Sequence, residues 1–241
     1  MEQILKQWAA ESGFALTADM ADKLIRYAMR IHTENELYNL TGLKTAEDVL
    51  KTLIMKSIEP VVSFNVPRGT TFMDIGTGSG IPGVVLLICF PHMLGTLVDA
   101  NGKKTEFIKK TAEELGLSNV TVINARAEDV GQEDTLRNKF DWVFTRAFGP
   151  IYYSFEFALP VLKNNGKLYI YSNLEMEMLS PGMLAHIKVL GGAAVGKGGH
   201  SVYGINEEGL LVVKERKTPP MYPRRFPIVK RESQKVPETI E

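Results

Sequence analysis

A short apolar run, Thr71, Phe72, Met73 and Ile75, breaks off at four closely spaced glycines, Gly76, Gly78, Gly80 and Gly83, and resumes as the apolar segment Val84 to Phe90. Its β-branched and aromatic character predicts a buried strand, and the glycines predict a tight turn into a helix. Glycine tolerates positive φ and has no Cβ, so a ligand can lie directly against the backbone there. The N–H groups opening the next helix would face the same ligand. Gly78, Gly80 and Gly83 formally match G-x-G-x-x-G, a pattern whose usual ligand is phosphate. The same glycines also suit a bare strand-to-helix turn with no ligand.

Two acids separate these readings. Asp74 ends the first strand, and Asp99 ends the next apolar run (Leu94, Thr96, Leu97, Val98). A carboxylate at the end of the second strand suits a ribose diol, whereas one inside the first loop repels a pyrophosphate. Asp74 therefore favours a cationic or neutral ligand. D-x-G-x-G-x-G with a later ribose acid is the pattern of S-adenosylmethionine methyltransferases, whose cofactor carries a sulfonium and no phosphate. Asp74, Gly76, Gly78, Gly80 and Asp99 are the first candidate cofactor residues.

Strands and helices alternate from Thr70 onward. Lys103 to Gly116 reads as a helix, Val120 to Ile123 and Asp141 to Thr145 as strands, Ile151 to Leu162 as a helix, Lys163 to Lys167 as a turn and Leu168 to Tyr171 as a fifth strand. Such alternation predicts an α/β fold: a mostly parallel sheet with helices on both faces. A glycine-rich stretch (Gly191, Gly192, Gly196, Gly198, Gly199) before Leu210 to Val213 predicts an antiparallel hairpin at the edge, which brings the sheet to seven strands. Residues 1–64 read as a helical cap. Ile4, Leu5, Trp8 and Ala9 form one apolar face, a second helix starts at Thr17, and Thr45 to Asp48 offers a capping box for a third. The expected organisation is a cap over 1–64, a cofactor-binding domain over 65–217 and a basic, proline-containing arm over 218–241.

In such sheets the ligand lies beyond the strand C-termini, which gathers the glycine loop, Asp99, Ala127-Glu128-Asp129 and Thr145-Arg146-Ala147-Phe148 into one crevice. Glu128 reads either as a partner for an adenine edge or as a solvated helix cap. Arg146, after an apolar strand, needs a partner, either a crevice acid or the ligand. The string Leu37-Tyr38-Asn39-Leu40-Thr41 fits a cleft lining and a solvated loop equally. None of the four histidines (His32, His92, His186, His200) falls in a crevice motif, and no cluster has metal-ligand spacing. No metal and no proton-transfer residue are expected.

The formal net charge is zero, so any nucleic-acid surface must be local. The segment from Lys214 to Arg231 supplies one. Lys214, Arg216, Lys217, Arg224, Arg225, Lys230 and Arg231 stand against Glu215, with Tyr222 and Phe226 among them. Prolines predict an extended arm that holds phosphates and stacks on bases, with Arg224 and Arg225 as its contacts; a solvated tail is the alternative. The single Cys89 in an apolar stretch and the lack of an export signal or membrane-spanning run predict a cytoplasmic protein. A monomer is expected.

These segments resemble the bacterial glucose-inhibited division protein B family, guanine-N7 methyltransferases of 16S ribosomal RNA. The carriers are L-Y-N-L-T at 37–41, D-I-G-T-G-S-G-I-P-G at 74–83, D-A-N-G-K-K at 99–104, A-R-A-E at 125–128, T-R-A-F at 145–148 and Y-P-R-R at 222–225. The resemblance implies a Rossmann-like class I fold. It also implies S-adenosylmethionine as cofactor and a guanine N7 in the 530-loop region of 16S rRNA, free or in the small subunit, as acceptor. Gly76, Ile81, Ala127, Glu128 and Arg146 would contact the cofactor, while Lys103 and Lys104 would face RNA. The chain departs from the family pattern at Leu53 and Lys56, where a histidine and an aspartate are usual, and at Ser172-Asn173 in place of lysine-glycine. By the same resemblance these positions face the target base. Two alternatives stay open: methyl transfer to another substrate, and a non-catalytic homologue that binds cofactor and RNA.

Overall fold

The computed structural model describes residues 1–64, 66–174, 178–195 and 209–240. Its centre is a seven-stranded sheet in the order β3-β2-β1-β4-β5-β7-β6. β1 (Thr71–Ile75) pairs in parallel with β2 (Leu94–Asp99) and β4 (Phe140–Arg146). β3 (Val120–Asn124) and β5 (Leu162–Tyr171) extend the parallel part on either side. β7 (Leu210–Lys214) runs antiparallel to both β5 and β6 (Gly192–Val195), which is the edge hairpin that the sequence predicts. Gly196, Gly198, Gly199 and His200 lie outside the described residues.

Alternate strand residues feed two cores, as a sheet covered on both faces requires. On one face Phe72, Trp142 and Phe144 meet α5 (Gly83–Cys89), α6 (Gly102–Glu114) and the N-terminal helices α1 (Glu2–Ser12) and α2 (Ala18–Tyr38). On the other, Met73, Ile75 and Val143 meet α7 (Ala127–Gln132), α8 (Ile151–Ala158) and α9 (Pro181–Val189). α2 starts where the Thr17 hydroxyl accepts from Met20 N and stops at Asn39, whose φ of 50° is left-handed.

Three local expectations are corrected. The third N-terminal helix is not uniform: α3 (Ala46–Asp48) passes into a π-helical stretch, Val49–Met55, before α4 (Lys56–Val62). Lys163 to Lys167 do not separate helix from strand but form an irregularity inside β5, where Phe140 pairs with Leu162 and Trp142 with Lys167. The C-terminal arm is not extended, since Phe226–Ser233 form a helix, α10. Pro223 precedes that helix and Pro227 lies in its first turn, where the missing N–H has no intrahelical partner to lose. Lys214, counted above with the basic arm, is fully buried in β7, where its ammonium donates to Asn138 Oδ1 at 2.8 Å and Leu162 O at 2.7 Å. Burial pushes its pKa down to about 7.

Candidate functional site

The carboxyl ends of β1, β2 and β4 and the segment after β3 open onto one cavity of about 590 Å³. The glycine loop forms its floor, and hydrogen bonds account for that loop almost atom by atom. Gly76 N and Thr77 N donate to Val98 O (2.9 and 3.0 Å), and Gly80 N and Ile81 N donate to Thr77 O (2.8 and 3.1 Å). Gly78 N donates to Asp99 Oδ2 at 2.9 Å, and Gly83 N to Asp74 Oδ2 at 2.8 Å. A phosphate cradle needs loop N–H groups that point at the anion. These six are committed, two of them to carboxylates.

Asp74 is a correction to the sequence reading. It is fully buried and sits beneath the loop, not against the cavity. Its Oδ2 also accepts from Thr77 Oγ1 at 2.6 Å, while Oδ1 is buried without a hydrogen-bond partner. Burial raises its pKa to about 7 against the opposing pull of Thr77 and Gly83. Folding thus favours the protonated acid, and stability should fall as pH rises from about 4 to about 7. Asp74→Asn removes this titration while its amide oxygen can still accept from Thr77 and Gly83. The stability difference between wild type and variant, read from denaturant midpoints, is expected to shift towards the variant over that pH range; parallel curves would reject the assignment. Gly80 also lies under the loop. A Cβ there would meet Val84 Cγ2 at 2.7 Å and the Tyr27 hydroxyl at 2.8 Å. Tyr27 in turn donates to Ser79 O at 2.6 Å, which ties α2 to the loop.

Gly76, Gly78, Ile81, Asp99, Ala127, Glu128 and Arg146 do line the cavity, as does Lys104. Asp99 accepts from Gly78 through one oxygen and from Asn101 N through the other at 2.8 Å. Each oxygen keeps a lone pair free for a further donor. Gly78, at φ 60°, has nothing nearer to its missing Cβ than Gly76 O at 3.9 Å, so the floor is open there. Lys103 is exposed outside the cavity.

Arg146 has a further task. Its guanidinium donates to the carbonyls of Leu53 (2.8 Å) and Thr52 (2.8 Å) and to Ser57 Oγ (3.0 Å), where the π-helical stretch gives way to α4. Tyr171 OH donates to Ser57 O at 2.7 Å beside it. The ends of β4 and β5 therefore grip the N-terminal helices over the cavity. Leu40, Thr41 and Leu53 line that side, so part of the L-Y-N-L-T string does face the cleft. Lys56 instead pairs with Glu59 at 3.4 Å.

Arg224 is the second correction. Its guanidinium turns inward onto the fully buried Glu156, with Nε at 2.9 Å and Nη2 at 2.8 Å, and so is not offered to RNA. Arg225 is exposed. The sequence puts Phe148 in the crevice and Phe226 in the basic segment, but it does not show the row that they form with Tyr153 and Phe157, all four of which line the cavity. The i, i+4 spacing of Tyr153 and Phe157 in α8 was the available signal, hidden because every residue of that helix is buried.

Among the described residues no group of three His, Cys, Asp or Glu could hold a metal ion. No helix among them is long and apolar enough to cross a membrane.

Comparison with known proteins identifies both a shared fold and a family. A solved mutant of MtNAS in complex with S-adenosylmethionine superposes with a TM-score of 0.52 at 16% identity, over 81% of this chain and 73% of that one, which shows a shared fold. A ribosomal RNA small subunit methyltransferase G from Alkaliphilus metalliredigens is 31% identical over 93% of this chain and 95% of its own length. Its counterpart from Brevibacillus brevis is 33% identical over 93% and 94%. The family model for rRNA small subunit methyltransferase G matches residues 20–180, from α2 through the whole cavity floor to the start of α9. With that span and those relatives, the chain belongs to the rRNA small subunit methyltransferase G family.

Proposed function

We propose that the protein methylates N7 of a guanine in the 530-loop region of 16S ribosomal RNA, with S-adenosylmethionine as cofactor, as a cytoplasmic monomer. The observation that carries the cofactor assignment is the glycine floor whose N–H groups are already taken up, two of them by Asp74 and Asp99. An anionic dinucleotide finds no donors in those groups and meets the carboxylates of Asp99 and Glu128. A sulfonium nucleoside meets an open backbone at Gly78, an acceptor for ribose hydroxyls at Asp99, and the Ala127-Glu128 segment for a base edge.

When bound, S-adenosylmethionine supplies an electrophilic methyl group on a positively charged sulfur. Guanine N7 presents a lone pair in the ring plane and loses no proton as it is alkylated, so the chain needs no general base. Its own residues have to fix the acceptor in line with the reacting carbon at about 3–3.5 Å. This accounts for a cavity built of backbone, aromatics and charged side chains, with no histidine in its lining. Small subunits lacking the modification, incubated with the protein and labelled cofactor, are expected to gain one methyl group that maps to a guanine N7. Cofactor binding without transfer to any ribosomal RNA would overturn the proposal.

A second reading, the same chemistry on another acceptor, is favoured by one observation: Leu53, where the family pattern has histidine, lines the cavity. Nucleotide mapping of the product separates the two. For RNA docking, Arg225→Ala is expected to weaken binding uniformly across sequences and to reduce the salt slope by about 1. Unchanged affinity and slope in a filter-binding titration would remove Arg225 from the interface.

A further inference from the structure

The cavity has more wall than a nucleoside cofactor uses. Its carboxylates and bare backbone follow β1, β2 and β3, whereas an aromatic row follows β4 and continues into the C-terminal segment. Phe148 lies against Gly76, where a Cβ would stand 2.1 Å from its ring. Phe148 meets Phe157 at 6.0 Å between ring centres, Phe157 meets Tyr153 at 6.2 Å, and Tyr153 meets Phe226 edge-on at 5.5 Å. The turn that aims Phe148 is strained, with Ala147 at φ 49°, and such strain in a non-glycine residue gathers at functional sites.

Phe226 is the outermost member of the row and the most heavily supported. Arg137 donates to the carbonyls of Gly131 (2.7 Å), Tyr222 (2.6 Å), Thr218 (3.1 Å) and Pro219 (3.1 Å). Gln132 Nε2 donates to Pro223 O at 2.7 Å, and Arg224 holds Glu156 through both its main-chain and side-chain nitrogens. Val229, one turn into α10, is fully buried in the second core. All of this ordering delivers a half-buried ring to the cavity, with the exposed Arg225 next to it in the chain. Core packing alone would close the ring in.

Resting on the methyltransferase reading above, we infer that Phe226 and Tyr153 form the stacking wall that receives the acceptor purine, with Arg225 at the mouth to meet its phosphate. A base drawn out of an RNA stack loses its neighbours, and an aromatic wall replaces them. Stacking on one aromatic ring is strong enough that its removal weakens binding about tenfold or more.

The test is steady-state methylation of unmodified small subunits by wild type, Phe226→Ala, Phe226→Leu and Phe226→Trp, together with calorimetric titration of S-adenosylmethionine into each. Phe226→Ala and Phe226→Leu are expected to raise KM for the RNA substrate about tenfold with cofactor affinity within twofold of wild type, and Phe226→Trp to restore KM. Leucine keeps the apolar volume and the fold but not the π-face, so a Phe226→Leu enzyme with wild-type KM overturns the inference. A matching loss of cofactor affinity also overturns it, because the ring would then serve the nucleoside. A wild-type enzyme that transfers no methyl group to any ribosomal RNA overturns the methyltransferase reading itself, a result distinct from either.

Discussion

Replacing Asp99 by asparagine is expected to lower affinity for S-adenosylmethionine about 100-fold, as severely as replacement by alanine, with the fold intact. The conservative change fails because both carboxylate oxygens accept from main-chain N–H groups, Gly78 at 2.9 Å and Asn101 at 2.8 Å. An amide must set its NH2 against one of them, donor facing donor. Hydrogen bonds to a charged acceptor contribute about 1.5–3 kcal/mol each, and the two that a ribose diol would make to Asp99, once the carboxylate is no longer held in place, come at the lower figure to about two decades in Kd. The strand beneath stays anchored: Asp99 pairs with Asn124 in register, and its carbonyl accepts from Asn124 Nδ2 at 2.9 Å. Calorimetry and a melting curve on Asp99→Asn and Asp99→Ala decide the matter. Wild-type binding by the asparagine variant would mean that Asp99 neither orders Gly78 nor meets the ribose.

The second large effect is on stability. Arg224→Ala strips the guanidinium from Glu156, a fully buried carboxylate left with the main-chain N–H of residue 224 at 3.0 Å and His186 at 3.1 Å. Breaking such a pair costs about 3–5 kcal/mol, which lowers Tm by roughly 10 °C in a chain of this size. Burial alone would raise the pKa of Glu156, but hydrogen bonds from Arg224 and His186 outweigh it and bring the carboxyl from the usual 4.5 down to about 2. A depressed carboxylate stabilises the fold above its unfolded pKa and loses that contribution as pH falls from about 4.5 to about 2. Thermal melts across that range should show the loss in wild type and not in Glu156→Gln. Adding Glu156→Gln to Arg224→Ala should recover part of the Tm, because the unpaired charge goes with it. A double variant no better than Arg224→Ala would show that the pair does not set the stability of this region.

The parts of the fold legible in the sequence are those where local chemistry and tertiary context agree. The run from Thr71 to Ile75 into Gly76 reads as strand and turn, and the structure keeps both. Asp74 shows the limit. An acid beside glycines can face a ligand or bond the loop itself, and only the position of Gly83 N, nine residues on, decides for the loop. Arg224 was counted with its basic neighbours because its partner, Glu156, is 68 residues away. A glutamate inside the apolar α8 was itself a sign that some cation had to come to it. Pro227, which reads as a breaker in the C-terminal segment, sits at a helix start. No pattern of side chains announces the π-helical turn at Val49–Met55, whose carbonyls at Thr52 and Leu53 are taken up by Arg146 from the end of β4.

That last contact leaves the cavity wall room to change. The clasp on residues 52, 53 and 57 closes largely on main-chain oxygens, which every amino acid brings. Side chains along the turn can therefore be exchanged without loosening it, and Leu53 can vary at the cavity wall while Arg146 still holds its carbonyl. The cavity wall and the architecture are in this way written in separate atoms of the same turn.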